Sequence, residues 1–429
     1  MKRFYLIRIA LLLLCCTMLL PSFAACGIVE DYLEEMGYLP PASSDDSEST
    51  TTKKPSDPDD ATPSNPDDSE STLPDSNPDD SDSTLPDNTP DDSETTTPPP
   101  AEEEEPEPVL PIVSSVAQMQ LGKDAGMCYI IQIKDGRFIV IDGGVSDLTA
   151  RNNMLLYMQQ KSNTEKPVIA CWIITHMDGD HFNNAYAFLT NSYYRSSVEV
   201  QGFAYTFPNV EDFAIRSTDS DYYKKYKQSA IDTYNDKIAK WDKIKQLYPD
   251  VNYWDMKAND KKSFADVDIH VLITANERLP ESVHTHNLRS AAFKMTFTQG
   301  TTSTADDKSF MVFGDCSGSA RAIWMINKYG SAILKSDVMQ VIHHGLAGGD
   351  KNLYKVVNPD ICLWPTHKER FEGKADSDGD GILDATQHCV DMDYNKYLRD
   401  DSIKKREHYH HSQTTVIDML DLSVSFWNP

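Results

Sequence analysis

Thr175-His176-Met177-Asp178-Gly179-Asp180-His181 carries both the fold and the chemistry of this chain. It follows directly on the apolar, β-branched run 168–174, which predicts a buried strand. Four potential ligands, His176, Asp178, Asp180 and His181, therefore stand at a strand's C-terminal end, where a loop can curl them onto one point. Imidazole nitrogen combined with carboxylate oxygen suits Zn, Mn or Fe better than Ca.

Downstream the pattern recurs. Gly314-Asp315 closes the apolar run 310–313, and His343-His344-Gly345 closes the run 338–342. Three separate strand ends thus finish in ligand-type residues, as a metal site shared across a sheet edge requires. Upstream, 127–133 and 137–141 flank Lys134-Asp135-Gly136 and read as a hairpin closing on Asp142-Gly143-Gly144. Helices are expected over 147–160, 184–189, 222–247 and 320–329, and further strands over 198–205, 267–274, 291–297, 361–364 and 415–420. Strands alternating with helices favour a layered α/β architecture, with 222–247 as a helical insertion at its surface.

These motifs resemble the metallo-β-lactamase fold superfamily, whose signature is His-x-[His/Asp]-x-Asp-His, then Gly-Asp, then a late His. The resemblance covers roughly residues 112 to 425 and implies a four-layer αββα sandwich carrying the helical insertion. Asp178 stands where lactamases and lactonases carry His, and Asn287-Leu288-Arg289-Ser290 is similar to an Asn-x-x-Ser element. Both features resemble the hydrolase domain of the competence proteins for DNA uptake, and related phosphodiesterases and phosphorylcholine esterases. The pattern departs at Leu346, where competence domains carry Ser, and at the insertion.

Carried over by position, the resemblance implies His176 and Asp178 on one metal, Asp180 and His181 on a second, and Asp315 bridging them. His343 or His344 completes the second site, and His286 or Asn287 fills the place of the middle His of lactamases. Ser290 is a candidate for contacting substrate or supporting a ligand. The implied activity is metal-dependent hydrolysis of a phosphoester, in nucleic acid or a phosphorylated envelope component. Two divalent transition metals, Zn first and Mn or Fe as alternatives, activate water, and Asp180 orients it or shuttles its proton. Hydrolysis of lactams or lactones is the second reading, and a tethered binding lipoprotein without turnover the third.

The rest of the chain supplies an address and a spacer. Lys2, Arg3 and Arg8 precede the apolar run 9–20, and small residues lead to Cys26, so 1–25 reads as an export signal. Phe23-Ala24-Ala25-Cys26-Gly27 also resembles a bacterial lipobox, which implies lipidation of Cys26 and a cell-surface lipoprotein anchored to the membrane by lipid alone. Residues 26–39 form an anchor-proximal segment. Residues 40–108 hold 22 acids against Lys53 and Lys54 and almost nothing apolar, which predicts a disordered linker. Its span lies between roughly 45 Å as a coil and roughly 200 Å as extended polyproline.

Of the net charge of −27, −20 sits in that linker and −1 in residues 1–39, leaving −6 for the 321 residues of the hydrolase domain, 109–429. No basic run exists to release counterions from a phosphate backbone, so a nucleic-acid coat protein is excluded and no stable nucleic-acid complex is expected. The only long apolar run is N-terminal, which excludes a multi-pass membrane protein. Cys128, Cys171, Cys316, Cys362 and Cys389 sit in or beside apolar runs and read as small buried hydrophobes. Asp376, Asp378, Asp380 and Asp384 take positions 1, 3, 5 and 9 of a Ca²⁺-type loop, a candidate structural site that lacks its acid at position 12, Gln387. His410 and His411, shortly before the last expected strand, are candidates for reaching substrate, with His367 ranked below them.

Overall fold

The computed structural model describes residues 112–429 apart from 123–124, 209–220, 278–288, 302, 317, 347, 375–388 and 390–391. The export signal, Cys26, the linker, His286, Asn287 and the candidate Ca²⁺ loop all lie outside the described residues.

Two mixed sheets form the frame. The first contains β1 (Ser115–Gln118), β2 (Cys128–Gln132), β3 (Phe138–Asp142), β4 (Val168–Ile174), β5 (Glu199–Val200), β6 (Gly202–Tyr205), β7 (Asn252–Asp255), β15 (Thr414–Asp418) and β16 (Val424–Trp427). Its order is β16-β15-β1-β2-β3-β4-β6-β7, with β5 also paired to β4. The second contains β8 (Lys261–Phe264), β9 (Val267–Ile273), β10 (Ala292–Phe297), β11 (Lys308–Val312), β12 (Val338–Gln340), β13 (Ile361–Trp364) and β14 (Glu407–His410), in the order β14-β13-β12-β11-β10-β9-β8. The helices are α1 (Leu148–Ser162), α2 (Gly179–Thr190), α3 (Ser192–Ser197), α4 (Asp221–Leu247), α5 (Ser319–Leu334), α6 (Lys351–Val357), α7 (Lys368–Phe371) and α8 (Asp393–Leu398).

The period-2 alternation of strand side chains builds three hydrophobic layers. Between the sheets, Tyr129, Ile131, Ile139, Ile141 and Ile173 pack on Val271, Phe293, Met295, Phe310 and Val312. The alternate residues Ile130, Val140, Trp172 and Phe203 turn the other way, onto Met154 and Met158 of α1, Phe188 of α2 and Trp241 of α4. On the far side Met311, Met339 and Cys362 meet Met325 of α5 and Leu353 of α6. The result is the four-layer αββα sandwich. All five cysteines of the domain are buried and form no disulfide among the described residues.

Each sheet has a parallel half that places the site. β3, β4, β6 and β7 run parallel in the first sheet, and β11, β12, β13 and β14 in the second. Parallel neighbours require helical crossovers and so deliver all their C-terminal ends to one edge.

Three expectations change. The run 198–205 is two short strands, β5 and β6, on either side of Gln201; both pair with β4 in one register, and Gln201 N keeps its bond to Ile169 O at 2.8 Å. The helix expected to end at Tyr329 passes through non-helical Gly330 (φ 59°, ψ −173°) and continues to Leu334. Helix α4 is not simply a surface insertion: Trp241 and Ile244 are fully buried, with Tyr234 and Ile238 packed beside them on the same face.

Candidate metal centre

β4 ends at Ile174, and its continuation becomes the first turn of α2. Asp178 is the N-cap of α2, yet its side chain makes no capping bond. An N-cap Asp ordinarily accepts from the free N–H groups of the first turn. Here Oδ2 instead faces His176 Nε2 at 3.7 Å, and Oδ1 takes the ammonium of Lys237 at 2.5 Å. Asp180 lies in the first turn, where the positive end of the helix favours an acid.

Asp142, at the end of β3, is fully buried and orders the segment from behind. Its backbone is left-handed (φ 53°), a conformation Asp tolerates better than most residues. Oδ1 accepts from Thr175 N at 2.7 Å; Oδ2 accepts from Thr175 Oγ1 at 2.6 Å and pairs with His181 Nδ1 at 2.7 Å. Gly143 lets α2 dock, since a Cβ there would sit 2.5 Å from Ala185 N.

The second sheet brings the rest. Gly314 turns with φ 55°, and a Cβ on it would meet Ser290 Oγ at 3.0 Å, so Asp315 enters over a position suited to glycine. Asp315 lies 3.1 Å from His181 Nε2, 3.4 Å from His344 Nε2, and 3.7 Å from both His176 Nε2 and His343 Nε2. His343 and His344 both adopt left-handed backbone (φ 49° and 58°), a strain that persists only where the surroundings impose it. The turn separates the two rings. His344 is 1 % exposed and reaches Asp180 Oδ2 at 2.8 Å, whereas His343 is 20 % exposed at the rim. His176, His181, Asp315 and His344 form the floor, and Asp178, Asp180 and His343 form the mouth.

The electrostatics call for positive charge at the floor. Burial alone would lower the pKa of His181, but Asp315 and Asp180 drive it well above the usual range. His344, likewise opposed by burial, is pushed up to about 9 by the same two carboxylates. Burial opposes ionisation of Asp315 too, yet His181 and His344 hold it well below the carboxylate range. Burial and the neighbouring His181 lower the pKa of His176.

The donor set fits a cation. His181 Nδ1 is committed to Asp142 and His344 Nδ1 to the Pro365 carbonyl at 2.8 Å, so both Nε2 atoms aim at one point, 3.2 Å apart. Thr175 Oγ1 donates to Asp142, which leaves its oxygen to accept from His176 Nδ1 at 3.1 Å; Ser290 Oγ lies 2.8 Å from the same nitrogen. His176 Nε2 is buried with no hydrogen-bond partner among the described residues. Imidazoles oriented through Nδ1, with bare Nε2 atoms facing carboxylates, are the usual preparation of a metal site. Asp180, His181, Asp315 and His344 group around one point, and Asp142, His176 and His181 form an adjoining group.

The structure brings together His176, Asp178, Asp180, His181, Asp315, His343 and His344, and sets Ser290 under His176. Ser290→Ala is expected to cost about 1 kcal/mol of stability and to weaken metal at His176 by about 10- to 100-fold. Chelator competition titrations measure the second effect, and unchanged affinity would contradict the role. His410 closes β14 and stands shortly before β15, with its ring 5.9 Å from that of Phe371. His411 follows it, buried, with its ring 6.3 Å from that of His367.

Two residues at the centre escape a reading of the motifs. Asp142 carried a signal, since an acid closing an apolar strand is costly to bury without partners. Lys237 carried none, being one lysine of a lysine-rich helix.

No family model matches the chain, and no curated protein sequence does either. Among solved structures it is similar to CmlA, a diiron β-hydroxylase from Streptomyces venezuelae, at 10 % identity and TM-score 0.37, over 72 % of this chain and 55 % of that one. It is also similar to the metallo-β-lactamase fold protein YhfI from Bacillus subtilis, at 11 % identity and TM-score 0.31, over 58 % and 85 %. A long form RNase Z from yeast matches at 10 % identity and TM-score 0.37, over 72 % and 42 %. The chain therefore spans about half the length of the hydroxylase and less of the RNase. Facing mixed sheets, helices on both outer faces and a His–Asp cluster where the strand ends of both sheets meet make up the αββα architecture that the resemblance of the sequence motifs implied.

Proposed function

We propose that the chain is a metal-dependent hydrolase acting on phosphoesters. The observation that carries this is the buried convergence of His176, His181, Asp315 and His344 beneath a mouth lined by Asp178 and Asp180. His176 and Asp178 would hold one divalent ion, Asp180, His181 and His344 a second, with Asp315 between them. Three carboxylates beside the imidazoles favour hard or borderline ions such as Zn, Mn or Fe, which suit phosphoryl oxygen. Bound there, such ions lower the pKa of water and polarise a phosphoryl group.

The chain's own residues do the rest. Asp142 and Pro365 fix the tautomers of His181 and His344, and Ser290 and Thr175 fix the ring of His176. Asp180, partly open to solvent and hydrogen-bonded to His344, takes a proton from the incoming water and passes it toward the leaving group. The fold walls hold the floor dry, which strengthens every charge interaction within it.

The test is turnover of bis(p-nitrophenyl) phosphate by protein loaded with Zn or Mn, beside nitrocefin. Diester hydrolysis lost on chelation and restored by metal is expected. Hydrolysis of nitrocefin alone would favour a lactam substrate, and metal-loaded protein inert to both would favour a binding module. We also propose a bacterial cell-surface lipoprotein, on the basis of the basic, apolar and small-residue segments ahead of Cys26. Palmitate labelling lost in Cys26→Ser would support the anchor, and unlabelled wild type would remove it.

A further inference from the structure

We propose that Lys237 binds an anionic oxygen of the substrate, which makes helix α4 a specificity element of the centre; this rests on the phosphoester reading. Lys237 is on the inward face of α4, between Tyr234, Ile238 and Trp241 at helical spacing. A lysine on an apolar face is costly unless its charge is used. Its side chain is 16 % exposed, and the ammonium meets Asp178 Oδ1, while the other oxygen of Asp178 faces His176 Nε2 at 3.7 Å. One carboxylate therefore separates the lysine charge from the floor of the site. Among the described ion pairs, this is the lysine that reaches the cluster.

The helix is fixed well enough for the position to matter. The Trp241 ring lies 5.6 Å from that of Phe203, 4.9 Å from Tyr205 and 5.3 Å from Phe207, and Tyr234 Oη donates to Pro208 O at 2.8 Å. Tyr205 is the last residue of β6, which pairs in parallel with β4, the strand leading to His176. The aromatic cluster thus registers α4 against the same strand end that carries the ligands. An ammonium has three donors, and Asp178 occupies one direction. When Asp178 also shares its charge with a cation on the His176 side, its hold on Lys237 weakens and the ammonium becomes available to an anion at the mouth. Lysine serves phosphate as a point charge and tolerates variation in the angle of approach. A domain with net charge −6 gains from one fixed cation where an anionic substrate must arrive.

The experiment uses the full metal-loaded chain, with Lys237→Met to keep the apolar stem and Lys237→Arg to keep the charge. Metal content is measured by mass spectrometry, inorganic phosphate affinity by calorimetry, and KM and kcat on the diester. The expected result is full metal content in both variants. Phosphate binding and KM should worsen by about 10- to 100-fold in Lys237→Met, with Lys237→Arg close to wild type. Unchanged phosphate affinity in Lys237→Met at full metal content would overturn the assignment alone, reducing the pair to a tether for α4. Loss of metal in Lys237→Met would also overturn it, by making the lysine a support for Asp178. Wild type that holds metal but neither binds phosphate nor cleaves the diester would overturn the phosphoester reading, and this inference with it.

Discussion

Asp180→Asn is expected to lower diester turnover by about 1000-fold, within the range general-base groups contribute, while the protein stays folded. Among the described residues its carboxylate pairs with His344 at 2.8 Å, and its side chain is 32 % exposed, so little packing depends on it. The change keeps shape and volume but removes the charge that His181 and His344 hold in the ionised form despite burial. It also withdraws a ligand from the second centre, so metal content should fall from about two equivalents toward one. Stopped assays with mass-spectrometric metal counts on the same preparation separate the two effects. Turnover within tenfold of wild type would refute the role assigned to Asp180.

Asp142→Ala should produce the largest loss of stability, about 4 kcal/mol, although this residue touches no substrate. The change strands three buried donors together: Thr175 N, Thr175 Oγ1 and His181 Nδ1. Each unsatisfied group costs about 1–3 kcal/mol. The His181 ring would lose its orientation, which typically weakens metal binding by about 10- to 100-fold. Urea unfolding of metal-free protein reads the first effect, and titration with Zn in a competing chelator reads the second. A loss below about 1 kcal/mol with unchanged metal affinity would show that Thr175 and the backbone alone hold the ring. Asp142→Asn is a weaker perturbation, since its amide oxygen can still accept from Thr175 N.

The strand before His176 was legible because 168–174 is uninterruptedly apolar, and a strand buried on both faces must be. The four-layer sandwich was an expectation carried by the resemblance of the His–Asp motifs, while strands alternating with helices indicated only a layered α/β architecture. Edge strands were not legible: β7, β8 and β14 carry Asn, Asp, Lys, Glu and His, because one face or one edge meets solvent. No strand was therefore expected over 407–410, where β14 lies. Which of His343 and His344 turns inward depends on two left-handed backbone residues, a property that side-chain chemistry does not encode. Lys237 reaches the centre through the docking of a long helix, 59 residues from its partner Asp178, so no local pattern points to it.

The floor of the site is drawn from both sheets, and the imidazoles of His181 and His344 meet although 163 residues separate them. Contacts of such long range close late in folding, after the loop entropy between them has been overcome. No half of the sandwich folded alone holds the complete set: the first sheet's strand ends supply His176, Asp178, Asp180 and His181 but lack Asp315 and His344, so a half-formed site would bind Zn or Mn less tightly than the assembled one. Tight metal uptake would then report completed assembly, and a bound ion would act as a latch that slows reopening instead of a nucleus that starts folding.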